Sequence, residues 1–206
     1  MNCDEVKSIL RKIADTIVEN KVYLTELDSA IGDGDHGVNM SKGFKALVKN
    51  INNMEKNDLG EIFRTSAMAL LSNIGGASGP LYATAFLKSA RKLNNKTFIE
   101  INDFIDVLQI SLDGIKMRGR SHEGEKTMID ALSPAVNEGR RAIEENKSTK
   151  EVLMAISNAA KEGMENTKNI IATKGRASYL GTRSIGHQDP GATSIYLILK
   201  TIAEEA

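Results

Sequence analysis

The chain has 206 residues, of which 41% are hydrophobic, and its 27 basic and 27 acidic side chains give a formal net charge of zero. This length allows one domain with a substantial core, while the balanced charge argues against a protein that binds nucleic acid or an anionic membrane surface. The single cysteine, Cys3, excludes an internal disulfide; together with a polar, acidic N-terminus and no apolar run of membrane-spanning length, it predicts a cytoplasmic protein.

Apolar residues recur about every 3.6 positions along most of the chain, as is typical of amphipathic helices. Asp58 with Glu61, and Ser148 with Glu151, have the spacing of capping boxes at helix starts. No strand pattern is found, and about eight helices are predicted, with apolar faces or starts at Val6 to Leu24, Phe44 to Ile51, Ile62 to Leu71, Pro80, Phe104 to Ile115, Thr127, Val152 to Ile156 and Gly191. The predicted fold is all-α, with one domain over residues 1–206.

The first loop, Asp28 to Gly37, contains three aspartates among glycines: Asp28, Asp33 and Asp35. Carboxylates this close repel one another, and a hard divalent cation is the usual partner. An EF-hand calcium loop counted from Asp33 fails, because neither its sixth nor its twelfth residue fits. Magnesium that holds phosphate fits better, and the following His36 and Asn39 either cap the next helix or touch the phosphate. The alternative is a solvated acidic turn.

Glycine placement marks three further loops. Fourteen of the 17 glycines, and all three histidines, fall within residues 28–44, 73–84, 114–124 and 175–191. Helix C-caps alone would scatter the glycines more evenly. Because loops carry function more often than cores do, we expect these four connections to close on one ligand.

The second and third loops offer phosphate and nucleotide contacts. In the second loop, Gly75 to Pro80, Ser78 is a good N-cap type before proline, and such a helix start is a natural phosphate cradle; the alternative is a tight turn. In the third loop, Met117 to Met128, Lys126 and Thr127 are suited to phosphate or ribose. Met128 either packs on a purine ring or lies in the core.

The fourth loop, Lys174 to Ser194, is unusually long for a compact domain, and such loops are typical of lids or binding segments. Arg176 and Arg183 are suited to pairing with phosphate oxygens. The alternative makes Arg183 a surface charge and Tyr179 a core residue. Asp189 and Pro190 then open the last helix.

Taken together, these strings resemble the family of ADP-binding L subunits of bacterial dihydroxyacetone kinases. The matching strings follow the family's order and span most of the chain. They are Leu27-Asp28 with Ile31-Gly32-Asp33-Gly34-Asp35-His36-Gly37, Gly75-Gly76-Ala77-Ser78-Gly79-Pro80, Lys126-Thr127-Met128, Gly175-Arg176-Ala177-Ser178-Tyr179-Leu180-Gly181 and Gly186-His187-Gln188-Asp189-Pro190-Gly191-Ala192-Thr193-Ser194. One departure is Glu123-Gly124-Glu125, where the family has a proline-glycine-aspartate approach.

The resemblance implies a barrel of eight antiparallel helices with nucleotide and magnesium at one mouth. It implies that two magnesium ions are ligated by Asp28, Asp33 and Asp35, and that these residues and Arg176 serve phosphoryl transfer. It also implies nucleotide contacts from His36, Gly37, Val38, Asn39, Ala77, Ser78, Gly119, Met128, Arg176, Asp189, Pro190 and Gly191.

The resemblance further implies tightly bound ADP that is phosphorylated to ATP by a phosphohistidine on subunit M, with the γ-phosphoryl passing to dihydroxyacetone on subunit K. ATP-dependent kinases resemble the chain only in a C-terminal domain. Since the chain begins about 25 residues before the first loop, a substrate domain does not fit, and phosphoenolpyruvate is expected as the ultimate donor. The alternatives are an L subunit that exchanges ATP, an adaptor that senses nucleotide state for a transcriptional regulator, and a histidine that is itself phosphorylated.

Overall fold

The computed structural model describes residues 1–54 and 57–206. Nine α-helices lie in this part of the chain, and the expectation of an all-α fold is confirmed. They are α1 Cys3–Glu19, α2 Lys21–Ile31, α3 His36–Asn52, α4 Leu59–Asn73, α5 Ser78–Lys92, α6 Ile101–Gly119, α7 Ile129–Glu144, α8 Thr149–Asn166 and α9 Pro190–Glu205. Two 3-10 segments, Thr167–Asn169 and Arg176–Ser184, lie between α8 and α9.

Eight of these helices close into a ring. Each of α3 to α8 packs on the next helix in chain order, and α1 closes the ring by packing on both α3 and α9. The remaining helix, α2, packs mainly on α3 and α9. The predicted first helix is in fact two helices, because the Asn20 side-chain amide donates to the Thr16 carbonyl (2.8 Å) and ends α1. Side-chain bonds of this kind compete with helix continuation.

The interior of the ring is one large apolar cluster with contributions from every helix. Phe44 and Tyr82 are almost completely buried in it and meet edge to face, with ring centroids 6.5 Å apart. Each large side chain buried in this way contributes about 1.5–3 kcal/mol. The apolar periodicity seen in the sequence is therefore the inner face of the ring.

Helix starts agree with the capping signals in part. The Ser148–Glu151 box is present in both directions. At α4, Asp58 accepts from the Glu61 N–H (2.8 Å), but the Glu61 carboxylate pairs with Arg64 instead of returning to the cap. Among residues 1–54 and 57–206, no helix combines the length and apolarity needed to cross a membrane.

The connectivity of the ring gathers the functional loops. Connections between successive helices alternate between its two ends, so that every second one lies at the same end. The α2–α3, α4–α5, α6–α7 and α8–α9 connections are the four glycine-rich loops. The ring therefore places all four around one mouth.

Candidate functional site

A cavity of about 700 Å³ lies at this mouth, and its walls come from all four loops. Fourteen of the sixteen site residues expected from the sequence line it: Asp28, Asp33, Asp35, His36, Asn39, Ala77, Ser78, Gly119, Thr127, Met128, Arg176, Asp189, Pro190 and Gly191. The expectation that distant glycine-rich loops meet at one place thus agrees with the geometry.

Gly37 and Val38 do not line the cavity. Gly37 is buried against α2, where a Cβ would collide with the Lys21 carbonyl. The Val38 side chain is 45% exposed. His36 and Asn39, three positions apart, share the cavity face of α3, and the two residues between them turn to other faces. For Gly37 and Val38, the nucleotide contacts expected from the sequence therefore stay a prediction, and only their backbone N–H groups are placed to make them.

The three aspartates of the first loop converge. One oxygen from each of Asp28, Asp33 and Asp35 lies within 4.8 Å of the other two. Asp28 is buried, whereas the other two carboxylates are exposed. Three hard oxygen donors with space on one side form a donor set that suits magnesium with further ligands from water or phosphate.

Asp28 also builds the loop. Its Oδ2 accepts from the backbone N–H groups of Asp35 (2.8 Å) and His36 (3.1 Å). The Asp28 carboxylate therefore caps α3 from the neighbouring helix α2. The sequence had offered this capping role to His36 or Asn39. The chain between can turn because Gly34 adopts a left-handed φ of 72°. The Asp35 side chain makes no hydrogen bond to the start of α3, so capping does not occupy its carboxylate.

Arg176 joins the fourth loop to the first. Its guanidinium lies 2.8 Å from Asp33 Oδ2, and its side chain is 68% exposed. Exposed pairs of this kind contribute at most about 1 kcal/mol. The contact therefore places a cation beside the acidic cluster, and breaking this ion pair costs little free energy.

A buried hydrogen-bond chain fixes His36. Ser194 Oγ donates to backbone carbonyls of its own helix, at 2.9 Å from Gly191 O. It then accepts from His36 Nε2–H (3.0 Å) and from the Tyr82 hydroxyl (2.8 Å). Burial lowers the pKa of His36, so the neutral ring presents the Nδ1 lone pair toward Ser78 (3.4 Å). His36 is thereby an oriented hydrogen-bonding group.

Two expectations about the second and fourth loops need correction. Ser78 was expected as an N-cap, but α5 begins at Ser78 with Ala77 in the cap position, which leaves the Ser78 hydroxyl facing His36. Tyr179, offered as a core residue in one alternative, is 86% exposed. Arg183 is exposed and lies outside the cavity wall, which agrees with a surface charge.

The third loop is organised by a residue that the sequence did not single out. Asp130 accepts from the N–H groups of Gly124 (2.6 Å) and Thr127 (2.7 Å). Met128 is buried, as one alternative expected, and it also lines the cavity, so packing on a purine ring stays a prediction. Lys126, expected to meet phosphate or ribose, is 1% exposed and donates instead to backbone carbonyls of residues 167–187.

Asp189 caps the last helix. Its Oδ2 accepts from the Ala192 N–H (2.6 Å), and its own N–H donates to Thr167 Oγ1 (3.0 Å). Burial raises the pKa of Asp189 to about 7. Pro190 follows at the first helical position, and Gly191, the next residue, lines the cavity and keeps its backbone N–H at this helix start.

Sequence reasoning also missed two cations on the wall, Arg118 and Lys174. Arg118 directly precedes the expected Gly119, so its position on α6 was a usable signal. Leu81, Ile115 and Met128 form an apolar part of the wall. The cavity therefore has an acidic cluster, nearby cations, two helix starts and an apolar side.

The comparisons with known proteins agree with this constellation. The family model described as the DAK2 domain matches residues 30–204, and the chain belongs to this family. It is 44% identical over 195 residues to "PEP-dependent dihydroxyacetone kinase 1, ADP-binding subunit DhaL" of Listeria innocua, covering 95% of this chain and 92% of that one. It is 39% identical to the corresponding ADP-binding subunit of Escherichia coli K12, covering 97% and 95%. The resemblance stated from the sequence is confirmed.

A solved structure shares the fold. The crystal structure of the dihydroxyacetone kinase from C. freundii in complex with AMP-PNP and Mg2+ superposes with a TM-score of 0.75 at 27% identity. The match covers 98% of this chain and 34% of that one. The helical ring is thus one part of that longer kinase.

Proposed function

We propose that the chain is the ADP-binding subunit of a phosphoenolpyruvate-dependent dihydroxyacetone kinase. The observation that carries this proposal is the convergence of Asp28, Asp33 and Asp35 with three other loops at one cavity. The near full-length similarity to separate ADP-binding subunits supports this choice.

The three aspartates would hold magnesium against the nucleotide phosphates. Bound there, magnesium would neutralise the charge of the transferring phosphoryl group, which is the main requirement of this chemistry. Arg176 lies beside the cluster and is free to add positive charge. The number of ions we propose is two, as the family resemblance implies, with phosphate oxygens and water completing the ligands that the three carboxylates would supply.

The remaining wall suits the rest of the nucleotide. The start of α5 at Ala77 and Ser78, and the Gly191 N–H at the start of α9, offer backbone donors and a positive helix end that favour phosphate. The apolar side formed by Leu81, Ile115 and Met128 suits a purine ring. ADP bound here would contact groups from all four loops at once.

In the proposed reaction, ADP remains on this chain. A phosphohistidine on subunit M phosphorylates it, and the γ-phosphoryl then passes to dihydroxyacetone on subunit K. The chain contributes position and charge neutralisation at each transfer. The neutral His36 ring, which is oriented by a hydrogen bond with Ser194, provides a hydrogen-bond acceptor at Nδ1 next to the Ser78 hydroxyl. It serves as a hydrogen-bonding group and not as a carrier of the phosphoryl group.

The test is whether the purified protein carries ADP and magnesium without either being added, and whether it forms dihydroxyacetone phosphate with subunits K and M and phosphoenolpyruvate. Asp33→Ala and Asp35→Ala should abolish magnesium-dependent ADP retention. Asp15→Ala is the matched control, since Asp15 is an exposed aspartate of α1 outside the cavity wall. Wild-type ADP retention in either cavity variant would contradict the proposal, and fast turnover with free ATP and subunit K alone would favour an ATP-exchanging kinase.

A further inference from the structure

The side chain of Lys126 is almost completely buried, at 1% exposure. Its Nζ donates to the carbonyls of Thr167 (2.6 Å), Ile170 (3.3 Å) and His187 (2.5 Å). An ammonium group has three N–H donors, and here all three are used on backbone oxygens. No donor remains for a phosphate or a ribose.

The three carbonyls belong to the two ends of one segment. Thr167 and Ile170 follow α8, and His187 comes just before the cap of α9. Two further bonds tie these ends together: the Gly186 N–H donates to Lys168 O (2.7 Å), and the Asp189 N–H donates to Thr167 Oγ1 (3.0 Å). The Lys126 ammonium therefore lies between the two ends of residues 167–187, the segment that contains Arg176.

The backbone of the third loop holds Lys126 in the conformation that directs its side chain to these carbonyls. Lys126 has a left-handed φ of 61°, which is uncommon for a residue other than glycine and needs support from its surroundings. Asp130 supplies that support through the Thr127 N–H on one side and the Gly124 N–H on the other. The third and fourth loops are also joined by a backbone hydrogen bond, in which the Thr173 N–H donates to Glu125 O (3.3 Å).

Convergent carbonyls around one point resemble a site for a small monovalent cation. Without the ammonium, the carbonyl oxygens of Ile170 and His187 would lose this donor, and that of Thr167 would keep only the Ile170 N–H (3.2 Å), which is costly for oxygens drawn together away from water. The arrangement thus requires a positive charge with N–H donors at this point, more than it requires a long side chain.

We infer that Lys126 is a positioning residue for nucleotide binding, acting as an internal cation that anchors both ends of residues 167–187 and thereby places Arg176 and the Asp189–Gly191 helix start at the cavity. Lys126 contributes to the cavity wall, but its role does not need an ammonium contact with the nucleotide, because all three N–H donors are used on backbone carbonyls. This inference rests on the proposed function for its effect on ADP, but the anchoring of the segment stands independently of any ligand.

The anchoring is tested on the free protein by hydrogen exchange. Lys126→Met should increase backbone exchange within residues 170–186, while exchange in α1 and α4 stays as in the wild type. Lys161→Met is the matched control, because Lys161 is an exposed lysine of α8. Wild-type protection of residues 170–186 in the Lys126→Met protein would overturn the inference.

The need for charge and donors is tested by chemical rescue. Lys126→Ala should bind Mg2+-ADP about tenfold or more weakly by calorimetry, and ammonium or methylammonium should recover much of this affinity together with protection of residues 170–186. Tetramethylammonium at equal concentration should not, because it has the same charge but no N–H donor. Equal recovery by all three salts, or lost affinity with unchanged segment protection, would contradict the inference and indicate direct nucleotide contact or simple screening.

If the alanine variant does not fold in plain buffer, its far-UV circular dichroism is followed as ammonium is added. Recovery with ammonium but not with tetramethylammonium supports the internal-cation role, and equal failure of both overturns it. A wild-type protein that binds no Mg2+-ADP would refute the proposed function alone, because the exchange measurement on free protein still decides the anchoring.

Discussion

The first and fourth loops lie side by side at the cavity, yet they are held in different ways. The first spans a few residues and is built locally, by Asp28 capping α3 and by the left-handed Gly34. The fourth is long, and its ends are held from another part of the chain through Lys126. Arg176 and Asp33 join them by an exposed ion pair. A rigid acidic cluster thus faces a segment whose own position depends on distant contacts.

The largest effect is expected from Asp28, which serves both the metal cluster and the helix cap. Asp28→Ala should weaken Mg2+-ADP binding by at least about 100-fold, since it removes one converging ligand and frees the loop that holds another. It should also lower the free energy of unfolding by about 1 kcal/mol through the lost cap. Calorimetry and urea unfolding measure the two effects.

Asp33→Ala provides the contrast for this prediction, because Asp33 contributes to the cluster without accepting those helix N–H groups. It should lose the affinity but keep the stability. Equal stability of the Asp28 and Asp33 variants would show that the cross-helix cap is energetically silent, and the first loop would then be less locally built than the contacts indicate.

The entry to α9 should respond to pH. The pKa of Asp189 is raised from an ordinary 3.8 to about 7 by burial, so the folded state binds this proton more tightly than the unfolded state does. Its contribution to stability is complete below about pH 3.8 and is lost as pH rises through about 7. Asp189→Asn, which can still cap α9, should remove this part of the decline in urea unfolding measured from pH 4 to 8. An unchanged pH profile would mean that the helix start and Lys126 keep the carboxyl ionised throughout.

These contrasts explain what the sequence could predict. The helices follow from the apolar period of 3.6 residues, whereas their closure into a ring was implied only by the family resemblance. The acidic cluster was readable because its members are close in the chain. The break at Asn20 was missed since a side-chain bond to Thr16 interrupts an otherwise continuous pattern. Lys126 was misassigned because the carbonyls that hold it lie 41 to 61 residues away. Such contacts appear in no local pattern.

Arg176 should show a moderate effect on binding and almost none on stability. Arg176→Ala should weaken Mg2+-ADP binding about tenfold, by removal of a charge-assisted phosphate contact. The free energy of unfolding should change by less than about 1 kcal/mol, because the pair with Asp33 is exposed. Arg183→Ala, at an exposed position of the same segment outside the cavity wall, is the control. Comparable losses in both variants would point to a general charge effect of the fourth loop.

The smallest expected effect concerns Val38, where a nucleotide contact was expected but the side chain faces solvent. Val38→Ala should change Mg2+-ADP affinity by less than about twofold, because a half-exposed side chain away from the cavity loses little on truncation. Asn39→Ala, one position further and on the cavity wall beside Gly75, should weaken binding about fivefold or more through a lost polar contact. Titration calorimetry on the two variants compares adjacent faces of one helix. If Val38→Ala is the more damaging, the start of α3 must present a different face to the nucleotide, and the contact expected from the sequence would involve the side chain after all.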